Sequence, residues 1–211
     1  GALYPIRWVS YLFTYMGGPL NYIVQYALIA GHMAFAMLGL FAVLRRYGGA
    51  SCEAAAFGAI LLLLNQCFNN FMRFPHGVEN LAWVPWTLYF GLNLARHTFE
   101  PDQSARRAAL KSFIALTLCV ALGWLTGYGQ FSYIGGLFVG LVVVCAARSL
   151  RGVAYVVLGG LLGSLLAIGS IWPAAEWVLG HPLRDGADLN NIHVIGVTDY
   201  IGIFLRPFVV D

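Results

Sequence analysis

The segment that decides the fold runs from Leu20 to Leu44 and reads LNYIVQYALIAGHMAFAMLGLFAVL. It contains 25 residues without an Asp, Glu, Lys or Arg, and Arg45 and Arg46 follow it directly. A helix needs about 20 mainly apolar residues to cross a bilayer core of about 30 Å. The segment therefore predicts a membrane-spanning helix that ends at the two arginines.

The composition of the whole chain agrees with this prediction. Of its 211 residues, 60% are hydrophobic and 10% are charged, and the mean hydropathy is +0.74. A soluble domain has about 25% charged residues, so the composition excludes an ordinary soluble globular domain and a disordered chain. The 12 basic and 9 acidic residues leave a net charge of only +3, which is too small for a nucleic-acid-binding face. We expect an integral membrane protein whose main partner is the lipid bilayer.

Windows of similar length predict six spans and therefore an all-α, polytopic bundle of helices. The predicted spans are Leu20–Leu44, Ala54–Met72, Asn80–Ala95, Ala108–Thr126, Gln130–Ala147 and Val153–Leu179. Pro85 is expected to kink the third span or to mark a broken helix. The glycines of the last two spans are expected to permit close helix packing.

Two further segments flank the predicted transmembrane domain, residues 20–179. Residues 1–19 are rich in Trp and Tyr, which favour the membrane surface, so we interpret them as an outer interfacial segment. The alternative is the end of an earlier span. Residues 180–211 are interpreted as an extracytoplasmic loop, and we expect this chain to be an internal fragment of a longer protein.

The positive charges predict the orientation of the spans. Eight of the 12 basic residues fall in alternate connections, with three acidic residues, and the other connections hold four basic and six acidic residues. Basic residues concentrate in cytoplasmic loops, so both visible ends are expected outside the cytoplasm. The eight basic residues are Arg45, Arg46, Arg96, Arg106, Arg107, Lys111, Arg148 and Arg151.

His32 lies near the middle of the first predicted span. An ionisable side chain at that depth is costly and is a candidate functional group, here a ligand for a metal or for a pigment or other cofactor, or part of a proton path. The alternative is a neutral imidazole that is hydrogen-bonded to a neighbouring helix.

A second candidate site lies in the predicted outer connection at Arg73, His76 and Glu79. Arginine and histidine can bind the phosphate of a lipid-linked substrate, and a carboxylate can act as a base or share a divalent cation. The alternative is a solvated turn in which Arg73 pairs with Glu79. Arg184, in the last outer segment, is either a further part of this site or half of a screened surface pair with Asp185. The four cysteines show no metal-ligand spacing, so no metal site is predicted.

Several short motifs occur in an order that resembles the YfhO-like bacterial membrane proteins. They are Tyr4-Pro5, Gly31-His32 through Arg45-Arg46, Pro75-His76 followed by Trp83-Val84-Pro85, Thr126-Gly127-Tyr128-Gly129-Gln130, and Trp172-Pro173-Ala174-Ala175-Glu176 leading to Leu183-Arg184. The resemblance covers nearly the whole chain and implies a GT-C-like fold in the bacterial inner membrane.

The same resemblance implies an activity. Enzymes of the GT-C superfamily transfer a sugar from a polyprenyl-phosphate donor to an acceptor on the outer face of the membrane. Arg73, His76, Glu79 and Arg184 would line the outer cavity that receives the donor. The catalytic carboxylate would lie in a loop that precedes Gly1.

Two other functions are compatible with the residues. The chain could be a non-enzymatic subunit of a membrane protein complex that binds a pigment or cofactor through His32. It could also be a transporter, which an inverted repeat would support; the sequence shows no clear repeat.

Overall fold

The computed structural model describes residues 4–16, 20–64, 75–96, 103–127 and 129–172, and within these ranges the chain is helical and forms no β-strand. The predicted all-α fold is therefore confirmed for this part of the chain. Its helices are α1 (Pro5–Met16), α2 (Leu20–Arg46), α3 (Cys52–Leu64), α4 (Pro75–Arg96), α5 (Gln103–Leu125), α6 (Gly129–Ala146) and α7 (Leu150–Leu166). Each helix from α2 to α7 overlaps one of the six predicted spans. The described residues up to Ile171 belong to one compact unit, and all contacts below lie within it.

Among the described residues, two helices are long and apolar enough to cross a membrane, over Tyr22–Arg46 in α2 and Gln103–Leu125 in α5. The helix surfaces also carry many large apolar side chains that face outward. Ile114, Phe138 and Leu161 are between 50% and 64% exposed. Extended apolar surfaces of this kind are unfavourable in water and are the pattern expected for contact with lipid.

Helix α4 lies at the centre of the bundle, where it contacts α2, α5, α6 and α7. One core cluster joins Leu92 and Ala95 of α4 to Val43 of α2 and to Val139 and Val143 of α6. A helix surrounded by other helices meets little lipid, so it tolerates the polar residues that its neighbours exclude. This position explains why α4 is not among the helices that qualify as spans by hydropathy.

The contact between α2 and α4 depends on Gly39. A Cβ atom at this position would lie 2.9 Å from Nε1 of Trp86 and 3.0 Å from Cβ of Pro85. The Trp86 indole donates a hydrogen bond of 2.9 Å to the carbonyl of Phe35, and the two rings stack at 5.2 Å. Pro85 therefore packs against α2, and α4 continues through it from Pro75 to Arg96. The expectation of a broken helix at Pro85 is wrong, because neighbouring contacts hold the helix on both sides of the proline.

The contact between α5 and α7 depends on two buried glycines of α7. A Cβ atom at Gly163 would lie 2.6 Å from the backbone oxygen of Thr117, and one at Gly159 would lie 3.1 Å from Cδ2 of Leu116. Close packing is thus confirmed at these glycines. Gly160 differs from them, because a Cβ atom there would meet no atom within 4 Å.

The connections that carry the basic residues meet at one end of the bundle. The Arg96 guanidinium at the end of α4 lies 5.1 Å from the Tyr47 ring, which follows α2. The Arg148 amide, between α6 and α7, donates a hydrogen bond of 3.1 Å to the carbonyl of Ala95. We call this the basic end: there α2, α4 and α6 end, and α5 and α7 begin.

A paired substitution in α7 tests the packing of α5 on α7. Gly163→Ala should lower the free energy of unfolding by about 1–3 kcal/mol, because its Cβ atom overlaps a backbone oxygen that cannot move alone. Gly160→Ala places the same methyl group in open space and should be neutral or stabilising by up to about 1 kcal/mol through helix propensity. Thermal unfolding of both variants in the same detergent measures the difference. Equal stabilities would contradict the proposed contact.

Candidate functional site

A buried ion pair lies at the end of the bundle opposite the basic end. Nε of Arg7 in α1 donates hydrogen bonds to Oε2 of Glu79 at 2.8 Å and to Oε1 at 3.1 Å. The side chains are only 14% and 5% exposed. The pair joins the first turn of α1 to the first turns of α4, which are 72 residues apart in sequence.

A chain of hydrogen bonds lies beside the ion pair and connects Tyr4, the residue directly before α1, to α2 and α4. The Trp83 indole donates to the Tyr4 hydroxyl at 3.1 Å, and this hydroxyl is 2.6 Å from Nε2 of His32. Nδ1 of His32 lies 2.7 Å from the carbonyl of Leu28, which can only accept, so Nδ1 carries a proton. In a neutral imidazole Nε2 then accepts from Tyr4. We call Tyr4, Arg7, His32, Glu79 and Trp83 the Arg7–Glu79 cluster.

Helix α1 and Tyr4, the residue directly before it, supply two members of the cluster because the polar face of this segment points inward. Tyr4, Arg7 and Ser10 are spaced by three residues and share one side of the chain, and Tyr4 and Ser10 are fully buried or nearly so. Trp8 and Leu12, on the opposite side, are 58% and 64% exposed. This is the reverse of a helix on a soluble protein. It suits the outer interfacial segment that the sequence predicts, although the depth of α1 in a membrane stays a prediction.

Burial and charge shift the pKa of Glu79, the acidic member of the cluster, in opposite directions. Glu79 lies directly before the predicted span Asn80–Ala95. Its burial raises the pKa of the carboxyl above the usual value. The hydrogen bond and the positive charge of Arg7 oppose this shift. Burial likewise raises the pKa of Tyr4. Nε of Arg7 is hydrogen-bonded to both carboxylate oxygens of Glu79, and this pairing, not the pKa, is the reason that we assign Glu79 a positioning role in this arrangement.

Asn80, the next residue of α4, points in another direction from Glu79 because successive helical side chains lie about 100° apart. Its side-chain amide donates hydrogen bonds to the carbonyl of Gly123 at 2.8 Å and to the Ser132 hydroxyl at 2.5 Å, and lies 3.1 Å from the Thr126 hydroxyl. Asn80 is 1% exposed. It fixes the end of α5 and the start of α6 relative to α4.

Asn80 lines a cavity of about 320 Å³, which we call the α4–α7 cavity. Helices α4, α5, α6 and α7 form its walls, which are mainly apolar. Its volume is at the lower end of the range for small-molecule sites. Tyr133 and Leu137 line it and are 60% and 57% exposed, so they form a rim on the outer surface of the bundle. The residues that give it polar or aromatic character are Asn80, Trp83, Thr87, Trp124, Ser132, Tyr133 and Ser164.

The structure places only part of the predicted site. Glu79 lies in the cluster, where Arg7 is its ion-pair partner. The backbone of His76 lies in the first turn of α4, and its side chain is outside the described residues, as are Arg73 and Arg184. The alternative of a solvated turn is wrong for Glu79, which is 4% exposed and lies within α4, and its pairing with Arg73 falls outside the described residues.

His32 occupies the position that the second interpretation of this residue predicts. It is 5% exposed and hydrogen-bonded to another segment of the chain. Both ring nitrogens have partners, so a cofactor bound through Nε2 would have to displace the Tyr4 hydroxyl. No group of three or more His, Cys, Asp or Glu side chains in the described ranges is arranged to hold a metal ion.

Sequence reasoning missed Arg7, Tyr4 and Asn80 as members of these sites. Arg7 is the only charged residue among residues 1–19. Tyr4 and Arg7 are three residues apart, which places them on one helical face, and this spacing was a signal that the face is buried. Asn80 gave no such signal, because a single asparagine at the start of a span is equally typical of a membrane surface.

Comparison with known proteins adds no relative: no family model, no curated protein and no solved structure matches this chain. The resemblance to the YfhO-like proteins therefore stays a prediction from the motifs.

A double-mutant cycle tests the ion pair. Arg7→Met or Glu79→Leu alone leaves one buried charge without its ion-pair partner and should cost about 3–5 kcal/mol of stability. The double variant Arg7→Met/Glu79→Leu removes both charges and should recover most of this loss. Reversible unfolding of the full chain in mixed micelles measures all four proteins. Additive losses would show that the two side chains do not interact.

Proposed function

We propose that this chain is part of a GT-C-like membrane glycosyltransferase, which uses a polyprenyl-phosphate-linked sugar on the extracytoplasmic side of the bacterial inner membrane. The observation that carries the proposal is the α4–α7 cavity, which has apolar walls and a polar end at Asn80 and Ser132. A lipid-linked sugar has the matching chemistry, with a hydrocarbon chain attached to a polar head.

The position of the cavity supports an occupant that enters from the bilayer. Its rim is formed by exposed side chains of α6 such as Tyr133 and Leu137, and in the proposed six-span arrangement this surface faces lipid. A prenyl chain would lie along α6 and α7. The sugar would then approach the hydroxyl and amide groups at the polar end, where aromatic rings such as Trp124 can pack against it.

The Arg7–Glu79 cluster supports the proposal indirectly. By holding α1 against α4, it fixes the helix turn that carries His76 and follows Arg73. In the proposal, Arg73, His76 and Arg184 contact the donor phosphate, and Glu79 orients this turn through its pair with Arg7. The reaction is displacement at the anomeric carbon: a carboxylate removes a proton from the acceptor, and cations stabilise the departing phosphate. We expect that carboxylate in a loop that precedes Gly1.

The alternative is a non-enzymatic subunit of a membrane complex that binds a pigment or cofactor at His32. The hydrogen bonds at both ring nitrogens favour a structural role for this imidazole. Binding to other membrane subunits remains compatible with either proposal.

Filling the α4–α7 cavity tests its role in binding. Gly136 lines the cavity, and a Cβ atom there would meet no atom within 4 Å, so Gly136→Leu should fill the space without disturbing the helices. Gly31→Leu is the matched control, because Gly31 in α2 is equally unobstructed and does not line the cavity. We expect Gly136→Leu to weaken binding of polyprenyl phosphate at least ten-fold, and Gly31→Leu to leave it unchanged, in a titration followed by native mass spectrometry. Equal affinities would overturn the assignment of the cavity.

Charge reversal tests the predicted phosphate contacts. Arg73→Glu and Arg184→Glu should each weaken binding of polyprenyl phosphate at least ten-fold, because each replaces attraction of the phosphate by repulsion. Arg148→Glu makes the same change at the basic end, on an exposed side chain, and should have little effect. Unchanged affinity in both Arg73→Glu and Arg184→Glu would contradict their assigned role, whatever the result for the cavity.

A further inference from the structure

A second cavity lies at the basic end, between α5 and α7, and has a volume of about 490 Å³. On α5 its wall is formed by residues spaced at one helical face, from Arg106 through Leu110 to Phe113. On α7 the corresponding face begins at Arg151 and continues to Leu158. We call this cavity the α5–α7 groove.

The groove separates charge from apolar surface along its length. Arg106 and Arg151 lie in the first turns of the two helices, so both cations are at the basic end. The rest of the wall is apolar or aromatic, and Leu94 of α4, which is 1% exposed, also lines it. The Phe113 and Tyr155 rings meet edge to face at 6.2 Å and close part of the wall. Leu110 and Leu158 are 58% and 46% exposed, so the groove borders the outer surface of the bundle.

Arg106 and Arg151 differ from Arg46, which lies at the same end of the bundle. Arg46 donates hydrogen bonds to the Tyr89 hydroxyl at 3.2 Å and to the Asn93 side chain at 3.3 Å, so the protein itself uses this guanidinium. Within the described ranges, Arg106 and Arg151 form no hydrogen bond, ion pair or ring contact. Both residues are exposed, so their guanidinium groups can bind an anion.

We propose that the α5–α7 groove binds one anionic phospholipid, with its phosphate between Arg106 and Arg151 and an acyl chain along the apolar wall. Arginine presents several N–H donors that match phosphate oxygens. Basic pockets between membrane helices on the cytoplasmic side bind phospholipid head groups. A soluble anion would contact the two cations but not the apolar wall. The combination of two arginines with an apolar wall therefore favours a lipid over a soluble anion. This inference uses the predicted membrane setting and goes beyond the transferase activity, on which it does not depend.

The test compares two double variants of the full chain that lose the same charge. Arg106→Gln/Arg151→Gln removes both cations of the groove. Arg107→Gln/Arg148→Gln removes two exposed cations at the same end, neither of which lines the groove. Native mass spectrometry of the detergent-solubilised protein, titrated with phosphatidylglycerol or phosphatidylcholine, measures the affinity of the first bound lipid. We expect the first variant to lose at least ten-fold in affinity for phosphatidylglycerol and the second less than three-fold, with phosphatidylcholine weak throughout.

A variant that keeps both charges tests the apolar wall. Ala109 lines the groove, so Ala109→Trp should fill it and lower phosphatidylglycerol affinity, while Val144→Trp on the exposed face of α6 should not. If the double arginine variant fails to fold, the comparison of Ala109→Trp with Val144→Trp still tests whether the groove binds the lipid.

Three results would overturn the inference. Equal losses in the two double variants would mean that only general surface charge attracts the lipid. Equal affinity for both phospholipids would mean that the head group is not recognised. Full competition by millimolar inorganic phosphate, with no effect of Ala109→Trp, would mean that the site takes a free anion.

Discussion

Close contact of α2 and α7 with α4 is the constraint on which the rest of the bundle depends. At Gly39 the indole of Trp86 and the ring of Pro85 occupy the space of a side chain. At Gly152 the backbone of Ala95 does the same, with its Cα atom 2.9 Å from the position of a Cβ atom. Between helices in lipid, packing replaces the hydrophobic effect as the main attraction, and small residues permit it. Both sites therefore depend on how these glycines position α4.

Helix α4 presents different chemistry in different directions. Glu79 faces the polar side of α1, whereas Asn80 faces the ends of α5 and α6. A buried ion pair adds little net stability compared with a well-packed apolar pair, but it penalises any arrangement that separates the charges. The Arg7–Glu79 pair thereby specifies the register of α1 on the bundle. It also commits both side chains to each other, which is why we assign Glu79 a positioning role rather than that of a base.

The sequence predicted the helices well and the sites only in part. Long apolar segments ended by arginines identify helices such as α2, because the length and charge pattern of a span are strong local signals. Gly163 was correctly expected in a close contact, but Gly160, three residues earlier, faces open space, and composition does not separate the two. The partner of Glu79 was missed because an ion pair across 72 residues leaves no mark in local spacing. Pro85 was expected to kink or to break its helix, and the break was wrong, since neighbours such as Gly39 were not known to support the helix.

The two ends of the bundle use their charges in opposite ways. In the Arg7–Glu79 cluster the cation is buried with its counter-ion, so its field is largely cancelled beyond the site. At the basic end Arg46 is held by neutral partners, and Arg106 and Arg151 are exposed, so their positive field extends outward. An exposed arginine has little value for stability, and its value lies in what it attracts. A surface that is apolar along the helices and cationic at one end has the same division of chemistry as an anionic lipid. The basic residues that predict the orientation of the chain in a membrane thus lie at the same end as the groove for which we propose binding of an anionic lipid.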